Sequence, residues 1–198
     1  MKVIAINASP RKGGNTETLI NKVLEPMKDA GWETEVIQIG GKPIRGCMAC
    51  YKCMENKDMQ CVIKTDMINE ILPKLAEADA LILGTPVFYS NVTSEMKAFM
   101  DRIGFLSLAN GYLFKGKVGA PVIAVRRSGA IPAFDAVNHF LHHQQFVMSG
   151  STYWNHGIGL TPGDVEGDKE GIENMTHLGK AIDWLARATK PVRDSFPE

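Results

Sequence analysis

The stretch from residue 2 to residue 31, KVIAINASPRKGGNTETLINKVLEPMKDAG, decides the fold of this chain. Its first seven residues are a short apolar run rich in β-branched side chains, which is typical of a buried strand. A polar loop containing two glycines follows. The next segment carries apolar residues at helical spacing, which are Leu19, Ile20, Val23, Leu24 and Met27. Gly31 then marks the end of the helix, so the stretch predicts one strand–loop–helix unit.

The same alternation continues along the rest of the chain. Further strands are predicted at 33–39, 79–86, 120–125 and 147–154, and further helices at 66–75, 94–105, 132–146 and 169–188. Alternation of this kind indicates a parallel sheet with right-handed crossovers. We therefore predict the α/β class, as a flavodoxin-like three-layer sandwich. Its five-stranded parallel sheet has the order 2-1-3-4-5, with helices on both faces.

The 198 residues contain no internal repeat, linker or low-complexity segment. We predict a single domain over residues 1–198, with a cysteine-rich loop at 46–61 and a loose tail from about residue 190. The apolar run at the N-terminus, residues 3–6, is too short for a signal peptide or a membrane span. We expect a cytoplasmic protein, in which thiols stay reduced.

The charges of the chain balance, with 22 Lys plus Arg against 22 Asp plus Glu. No bulk electrostatic field therefore attracts nucleic acid or an anionic membrane, and we expect neither as a partner. Any anion that the protein binds must be held by a local arrangement of donors.

The loop at 9–16, SPRKGGNT, is expected at the edge of the sheet where ligands bind. It fits neither the G-x-G-x-x-G dinucleotide pattern nor the G-x-x-x-x-G-K-[ST] loop of NTPases. It does combine two glycines, the cations Arg11 and Lys12, and polar side chains at Ser9, Asn15 and Thr16. Together with a helix N-terminus, these groups indicate a site for a phosphate monoester. The alternative is an ordinary turn in which Asn15 or Thr16 caps the helix.

Two more loops are expected at the same edge of the sheet. Residues 86–91, PVFYSN, offer an apolar, aromatic wall with free backbone amides, which suits a planar ring. The alternative for Phe88 and Tyr89 is packing within the loop or at an interface. The third loop, RRSGAIP at 126–132, brings the backbone of Ser128 and Gly129 to this edge, while its two arginines can equally be surface charges.

All four cysteines lie in one loop with the spacing C-x2-C-x2-C-x7-C, at Cys47, Cys50, Cys53 and Cys61. Three closely spaced thiolates and a more distant fourth can complete the all-cysteine shell of an iron–sulfur cluster. Four thiolates also suit zinc, although structural zinc sites more often pair two separate C-x2-C knuckles. A loop of thiols that holds no metal is the alternative that comes before zinc.

The segments NASPRKGGNTETL, ILGTPVFYSNVTSEMKAFMDR and VRRSG together resemble the NADPH-dependent FMN reductase family, over about residues 1–188. The resemblance implies that the first loop holds the FMN phosphate, that the second packs on and bonds to the isoalloxazine, and that the third approaches the pyrimidine side of the ring. The FMN-binding residues that it implies are Ser9, Arg11, Lys12, Gly14, Asn15, Thr16, Pro86, Val87, Phe88, Tyr89, Ser90, Asn91, Arg127, Ser128 and Gly129.

Within that family, the cysteine loop resembles the iron–sulfur flavoprotein branch, in which a compact C-x2-C-x2-C motif and a later fourth cysteine bind a [4Fe–4S] cluster. This resemblance implies Cys47, Cys50, Cys53 and Cys61 as the ligands. Family members are usually homodimers or homotetramers with the flavin near a subunit interface, so we expect a homo-oligomer.

We accordingly predict an FMN-binding oxidoreductase that uses NAD(P)H to reduce a flavin, a quinone or another small acceptor. The alternative is an iron–sulfur flavoprotein that relays electrons from a ferredoxin-like donor through the cluster to FMN. A non-enzymatic zinc-loop protein that binds a phosphate ligand is the remote alternative. We nominate no catalytic side chain, because in hydride or electron transfer the flavin supplies the chemistry and the protein positions it.

Overall fold

The computed structural model describes residues 1–197 and contains one six-stranded sheet. Its strands are β1 (Lys2–Asn7), β2 (Glu33–Gln38), β3 (Ala80–Pro86), β4 (Val118–Val125), β5 (Val147–Met148) and β6 (His156–Ile158). All neighbouring strands pair in parallel, in the order β2-β1-β3-β4-β5, and β6 also pairs with β4. The predicted order 2-1-3-4-5 is confirmed.

The described residues form six α-helices. They are α1 (Asn15–Asp29), α2 (Lys52–Asn56), α3 (Ile68–Glu77), α4 (Ser94–Ala109), α5 (Ala130–His143) and α6 (Lys169–Thr189), with 3-10 helices at Asp164–Gly167 and Lys190–Ser195. The alternation of side chains along β1 shows the two layers. Ile4 and Ile6 pack in a cluster with α3, α4 and α5, whereas Val3 and Ala5 pack in a second cluster with α1 and α6. Helices therefore lie on both faces.

The central strands read as continuous apolar runs because both of their faces are covered. Residues 3–6 of β1 and 80–83 of β3 are buried without exception, and so is the whole of β4. Strands buried on both sides are expected in a parallel sheet of this kind. The carboxyl ends of β1, β3 and β4 consequently meet at one edge, which carries the three loops singled out from the sequence.

The prediction of a fifth strand over 147–154 is wrong for most of that segment. After the two residues of β5 the chain leaves the sheet, and it returns at His156 to pair with the C-terminal half of β4. Asn174 of α6 fixes the departure, because its Nδ2 donates to the Trp154 carbonyl at 2.8 Å and its own carbonyl accepts from Ser151 Oγ at 2.8 Å. The short sixth strand carries a fourth loop to the ligand-binding edge.

The sequence predicts a loose tail from residue 190. In the structure this segment begins with a 3-10 helix that packs beside Asp79, the residue directly before β3. Lys190 Nζ and Arg193 Nη1 each lie 3.0 Å from a carboxylate oxygen of Asp79, whose side chain is almost fully buried. Among the helices described over residues 1–197, none combines the length and apolarity that a bilayer crossing requires.

Candidate functional site

A cleft of about 190 Å³ opens at the carboxyl edge of the sheet, where β1, β3, β4 and β6 end. Four loops contribute to it. The lining residues are Ser9, Pro10, Arg11, Asn15, Thr16, Pro86, Val87, Phe88, Ala124, Arg126, Gly159 and Leu160. The first two loops predicted from the sequence therefore line the cleft. Gly159 and Leu160, from the loop after β6, form a further wall that the sequence did not indicate.

The polar end of the cleft is the N-terminus of α1. Gly14 is the N-cap residue, and no side chain within the described residues caps this helix through a hydrogen bond. The first N–H groups of the helix are therefore available to an anion, which the helix dipole also attracts. Ser9 and Thr16 are buried beside this terminus, and Arg11 lies exposed at its rim. The alternative that Asn15 or Thr16 caps the helix is wrong.

Asn15 has a different partner from the one expected of a cap. Its Oδ1 accepts hydrogen bonds from the backbone N–H groups of Gly163 at 3.1 Å and Val165 at 3.4 Å. A side chain at Gly159 would place its Cβ only 2.7 Å from Asn15 Nδ2, so the loop after β6 needs a glycine there. The side-chain oxygen Oδ1 of Asn15 thus fixes the loop after β6. The side-chain Nδ2 of Asn15 faces the same loop as a donor.

The aromatic loop, residues 86–91, is a tight hairpin turn in which two residues adopt the left-handed backbone conformation. Phe88 and Asn91 exchange backbone hydrogen bonds of 2.9 and 3.0 Å. Tyr89 and Ser90 between them have φ values of 47° and 58°, as a two-residue type I′ turn requires. The Tyr89 side chain is fully exposed and Phe88 is half exposed. The apolar wall predicted for a planar ring is therefore present, and two aromatic rings at its end are free to cover a ligand.

Thr93 ties this turn to the first loop. Its Oγ1 donates to the carbonyl of Ala8 at 3.3 Å and accepts from the N–H of Met96 at 3.3 Å, which caps α4. The Thr93 N–H in turn donates to Thr85 Oγ1 at 3.2 Å. The two loops are thus fixed relative to each other by buried hydrogen bonds.

The remaining residues implied by the family resemblance lie outside the cleft lining. Lys12 is exposed at the outside of the first loop, and Arg127 and Ser128 are exposed in the loop after β4. Gly129 has a φ of +89°, and a Cβ there would lie 2.9 Å from Ser90 Oγ. The third loop therefore contacts the aromatic turn, and of its residues 126–132 only Arg126 lines the cleft.

Three residues of the cleft could not be singled out from local sequence. Ala124 lies within a fully buried strand, and Gly159 and Leu160 follow the short strand β6. Arg126, which the sequence left open as a surface charge, lines the cleft as well. The one sequence signal for Arg126 was its position as a basic residue directly after a buried strand.

The cysteine loop forms a second candidate site. All four cysteines line one small hollow of about 30 Å³, which the side chains of Arg102, Phe105 and Leu106 from α4 also bound. Burial raises the pKa of the Cys53 thiol, and the nearby Cys47 and Cys61 raise it further. The backbone of Cys61 is fixed by Asn69, whose Oδ1 accepts from its N–H at 2.7 Å and whose Nδ2 donates to its carbonyl at 2.9 Å.

The backbone of this loop departs from ordinary conformations. Ala49, Tyr51, Lys57 and Met59 have φ values between 50° and 60°, a region that residues other than glycine rarely adopt. Within residues 1–197, no cluster of His, Cys, Asp or Glu side chains stands in the arrangement that one bound metal ion requires. The thiols are gathered in one place without converging on a single point.

The residues present fit the two groups that the resemblance implies. The uncapped helix terminus with Ser9, Arg11 and Asn15 suits a phosphate, and the wall of Pro86, Val87 and Phe88 suits a planar ring. For a [4Fe–4S] cluster the donor set fits, because each thiolate binds a different iron and the sulfurs surround the group rather than meet at one ion. Four cysteines around one hollow supply the four thiolates that such a cluster needs.

The fold and the cleft define a flavodoxin-like α/β protein with a site for a phosphate-bearing planar ligand. The family model described as NADPH-dependent FMN reductase matches residues 1–158. An iron–sulfur flavoprotein of Methanocaldococcus jannaschii is 36% identical over 197 residues, which cover 96% of this chain and 100% of the relative. This chain belongs to the NADPH-dependent FMN reductase family of flavin oxidoreductases, among relatives that are named iron–sulfur flavoproteins.

Two solved structures bear out the fold. RosB, solved with a bound 8-demethyl-8-formylriboflavin-5'-phosphate intermediate, superposes with a TM-score of 0.74 at 18% identity, over 98% of this chain and 81% of that one. A flavodoxin from the domain Archaea superposes with a TM-score of 0.60 at 19% identity, over 96% of this chain and 99% of that one. At these identities the likeness shows the flavodoxin-like fold.

Proposed function

We propose that this protein is an iron–sulfur flavoprotein, an oxidoreductase that relays electrons between a cluster held by the cysteine loop and an FMN held in the cleft. The observation that carries this proposal is that Cys47, Cys50, Cys53 and Cys61 all line one hollow. Relatives at more than 30% identity that span almost the whole chain carry the same name. A cluster supplies single electrons, and FMN accepts one or two.

In this proposal the residues of the cleft bind and orient the flavin. Ser9, Asn15, Thr16 and the N-terminus of α1 hold the phosphate, while Arg11 contributes a cation at the rim. Pro86 through Asn91 provide backbone groups and apolar contacts for the ring, and Gly129 allows the loop after β4 to approach that turn. The outer residues Lys12, Arg127 and Ser128 would act by adding charge and donors at the opening of the site.

The segment that follows β2 leads along the chain from the cleft to the cysteine loop. Gln38, the last residue of β2, donates from Nε2 to the Ser9 carbonyl at 2.5 Å and to the Gly40 carbonyl at 3.0 Å. A Cβ at Gly40 would lie 2.2 Å from the Ser9 carbonyl oxygen, so the chain leading to the cysteine loop runs directly against the phosphate loop. This contact fixes the start of the segment that carries the cysteines against the loop proposed to hold the phosphate.

The test is anaerobic reduction of the bound flavin by two donors, a reduced low-potential ferredoxin and NADPH. We expect the ferredoxin to reduce the FMN of the wild-type protein, and Cys53→Ser and Cys61→Ser to lose this reduction while they retain FMN. Met48→Leu, in the same loop, is the matched control and should keep it. Equal reduction by ferredoxin in the wild-type protein and both cysteine variants would overturn the relay.

A second candidate function is the direct use of NAD(P)H to reduce a flavin, a quinone or another small acceptor. The family to which the chain belongs favours it, since its model is described as an NADPH-dependent reductase. Steady-state oxidation of NADPH and of NADH with FMN or a quinone as acceptor tests it. Turnover that the cysteine variants leave unchanged would support this function over the relay.

We further propose a homodimer or homotetramer that works in the reducing cytoplasm. The exposed rings of Phe88, Tyr89 and Trp154 support self-association, because large exposed apolar side chains near a site often mark an interface. The four free thiols support a reducing compartment. Light scattering coupled to size-exclusion chromatography measures the assembly, and a monomer at micromolar concentration would contradict the oligomer.

A further inference from the structure

Arg102 of α4 is the largest fully buried side chain of the described residues, with 1% of its surface exposed. Charged side chains are almost never buried to this degree unless they are paired. Its partner is Asp66, whose side chain is also 1% exposed, and the two form a salt bridge through Arg102 Nη1 and Asp66 Oδ2. A buried ion pair is costly to assemble, so its position needs a reason.

The position of this pair is the cysteine hollow. Arg102 lines the hollow together with all four cysteines. Its Nη1 donates to the carbonyl of Arg45 and its Nη2 to the carbonyl of Ile63, both at 3.2 Å. Arg45 lies two residues before the first cysteine and Ile63 two residues after the last. The guanidinium thus closes both ends of the cysteine loop onto α4.

Asp66 completes this closure from the other side. Its Oδ2 accepts from the N–H of Arg45 at 3.1 Å, and its Oδ1 accepts from the N–H of Ile68 at 3.3 Å. Arg45 is therefore held through both its N–H and its carbonyl by the two members of the pair. The charged groups consequently have a fixed position relative to the loop that carries the thiols.

One donor of the guanidinium is left over. The Nε of Arg102 is buried and has no hydrogen-bond partner among the described residues. An arginine confined to closing the loop would need only its two terminal nitrogens. A buried, unpartnered N–H on a cation indicates that an acceptor belongs in its surroundings, because leaving such a donor unsatisfied is costly.

We propose that Arg102 is the buried counter-charge of the cluster and that it raises the cluster's reduction potential, with Asp66 acting in the opposite sense. This inference rests on the proposed function. A cluster with four thiolate ligands is anionic, and one electron taken from a reductant adds another negative charge. A fixed cation at the wall of the hollow stabilises the reduced form more than the oxidised form, and a fixed carboxylate destabilises it.

Because Arg102 and Asp66 carry opposite charges, an electrostatic role of the pair can be distinguished from a structural role in closing the loop. Arg102→Gln and Asp66→Asn each break the same buried pair and the same closure, so a purely structural role predicts the same direction of change for both. The counter-charge role predicts opposite directions. Arg102→Gln should lower the midpoint potential of the cluster, Asp66→Asn should raise it, and the double variant should return toward the wild-type value.

The pair Arg187 and Asp183 on α6, with side chains 54% and 22% exposed, supplies the matched control. Arg187 Nε lies 2.8 Å from Asp183 Oδ1, and the pair carries the same two charges at the surface. Arg187→Gln and Asp183→Asn make the same changes in net charge far from the cysteine loop in sequence. They should leave the potential unchanged, because neither residue lines the cysteine hollow and solvent screens charges at the surface.

The experiment is an anaerobic dithionite titration, followed by electron paramagnetic resonance, of the reconstituted wild-type protein and these variants. Opposite shifts of the midpoint potential support the inference. A wild-type protein without a cluster overturns the proposed function and this inference together, whereas a cluster whose potential is unmoved, or moves the same way in both variants, overturns the inference alone. Where Arg102→Gln does not retain the cluster, Asp66→Asn decides: a raised potential supports the proposal and any other result overturns it.

Discussion

Arg11 Nη1 donates a 2.9 Å hydrogen bond to the carbonyl of Leu160, a residue 149 positions later in the chain. The bond joins the loop after β1 to the loop after β6 across the opening of the cleft. It uses one of the five N–H donors of the guanidinium, and the others are available to a ligand. The cation that the sequence assigned to phosphate binding therefore also positions the wall that the sequence did not indicate.

Replacing Arg11 should weaken FMN binding more than replacing its neighbour Lys12. Arg11 lines the cleft, whereas Lys12 does not. We expect Arg11→Ala to lower FMN affinity about 10-fold or more, which corresponds to about 1.4 kcal/mol. Lys12→Ala should cost about 3-fold or less, since an exposed charge is screened. Titration of the flavin-free variants, followed by quenching of FMN fluorescence, measures both. A larger loss with Lys12→Ala would place the phosphate outside the cleft.

Asn15→Asp tests the phosphate site without dismantling the loop beside it. The new carboxylate keeps an oxygen that accepts from Gly163 and Val165, while it replaces the Nδ2 donor by a negative oxygen. A carboxylate beside a phosphate is repulsive, and we expect FMN affinity to fall about 100-fold or more. The thermal unfolding temperature of the flavin-free protein should change little. Retained FMN affinity would show that Asn15 serves the fourth loop alone.

The aromatic turn should become more stable when its second residue is glycine. Ser90 has a φ of 58°, which costs about 1–2 kcal/mol for a residue with a Cβ. Because glycine also makes the unfolded chain more flexible, Ser90→Gly should raise the free energy of unfolding of the flavin-free protein by about 0.5–1 kcal/mol.

Ser128→Gly is the matched control for the turn, because Ser128 is equally exposed and is not among the residues with positive φ. It should lower the free energy of unfolding by about 0.5 kcal/mol through the unfolded state alone. Chemical denaturation of both variants decides the matter. A loss of stability in Ser90→Gly as large as that in Ser128→Gly speaks against a strained turn.

The stability of the protein should rise with pH through the range in which Lys117 titrates. Burial, together with the positive charge of Arg193, lowers the pKa of Lys117 from 10.5 to about 8. Between pH 8 and 10.5 the unfolded chain therefore binds more protons than the folded one, so the free energy of unfolding increases with pH. Relative to Lys117→Met, the gain should be on the order of 1–3 kcal/mol.

Lys115→Met, at a partly exposed position two residues earlier, is the control for this pH dependence. Its free energy of unfolding should follow the wild-type curve between pH 8 and 10.5, since Lys117 is intact. Parallel curves for the wild-type protein and Lys117→Met would mean that the buried amine keeps its proton throughout that range.

Much of the fold could be predicted because the core strands are buried on both sides. The run Val3–Ile6 and its counterparts in β3 and β4 read as strands, and the apolar spacing from Leu19 to Met27 read as a helix. The strands at the β5 edge of the sheet could not be predicted in the same way. Residues 147–154 combine a β-branched start with glycine and serine, and the hydrogen bonds of Asn174 that hold them away from β4 come from a helix 20 residues later.

The candidate site likewise contains residues that the local sequence indicates and residues that only the tertiary structure brings to it. Ser9, Arg11 and Asn15 form a local group at a predicted loop, and local patterns indicate such groups. Gly159 and Leu160 reach the cleft only through the tertiary path of β6. Arg102 offered one signal, because it lies three residues after Phe99 and one before Ile103 on the apolar face of α4. A charge at core spacing can indicate a buried ion pair, although its partner Asp66 lies outside that helix.

The most direct measurement is the iron, acid-labile sulfide, zinc and flavin content of the anaerobically purified protein, together with its absorption spectrum. We expect one FMN and about four irons with about four sulfides per chain, and the broad charge-transfer absorption of a thiolate-ligated cluster. FMN without iron would contradict the electron relay and leave the NAD(P)H-dependent reductase, and zinc without flavin would contradict both proposed functions.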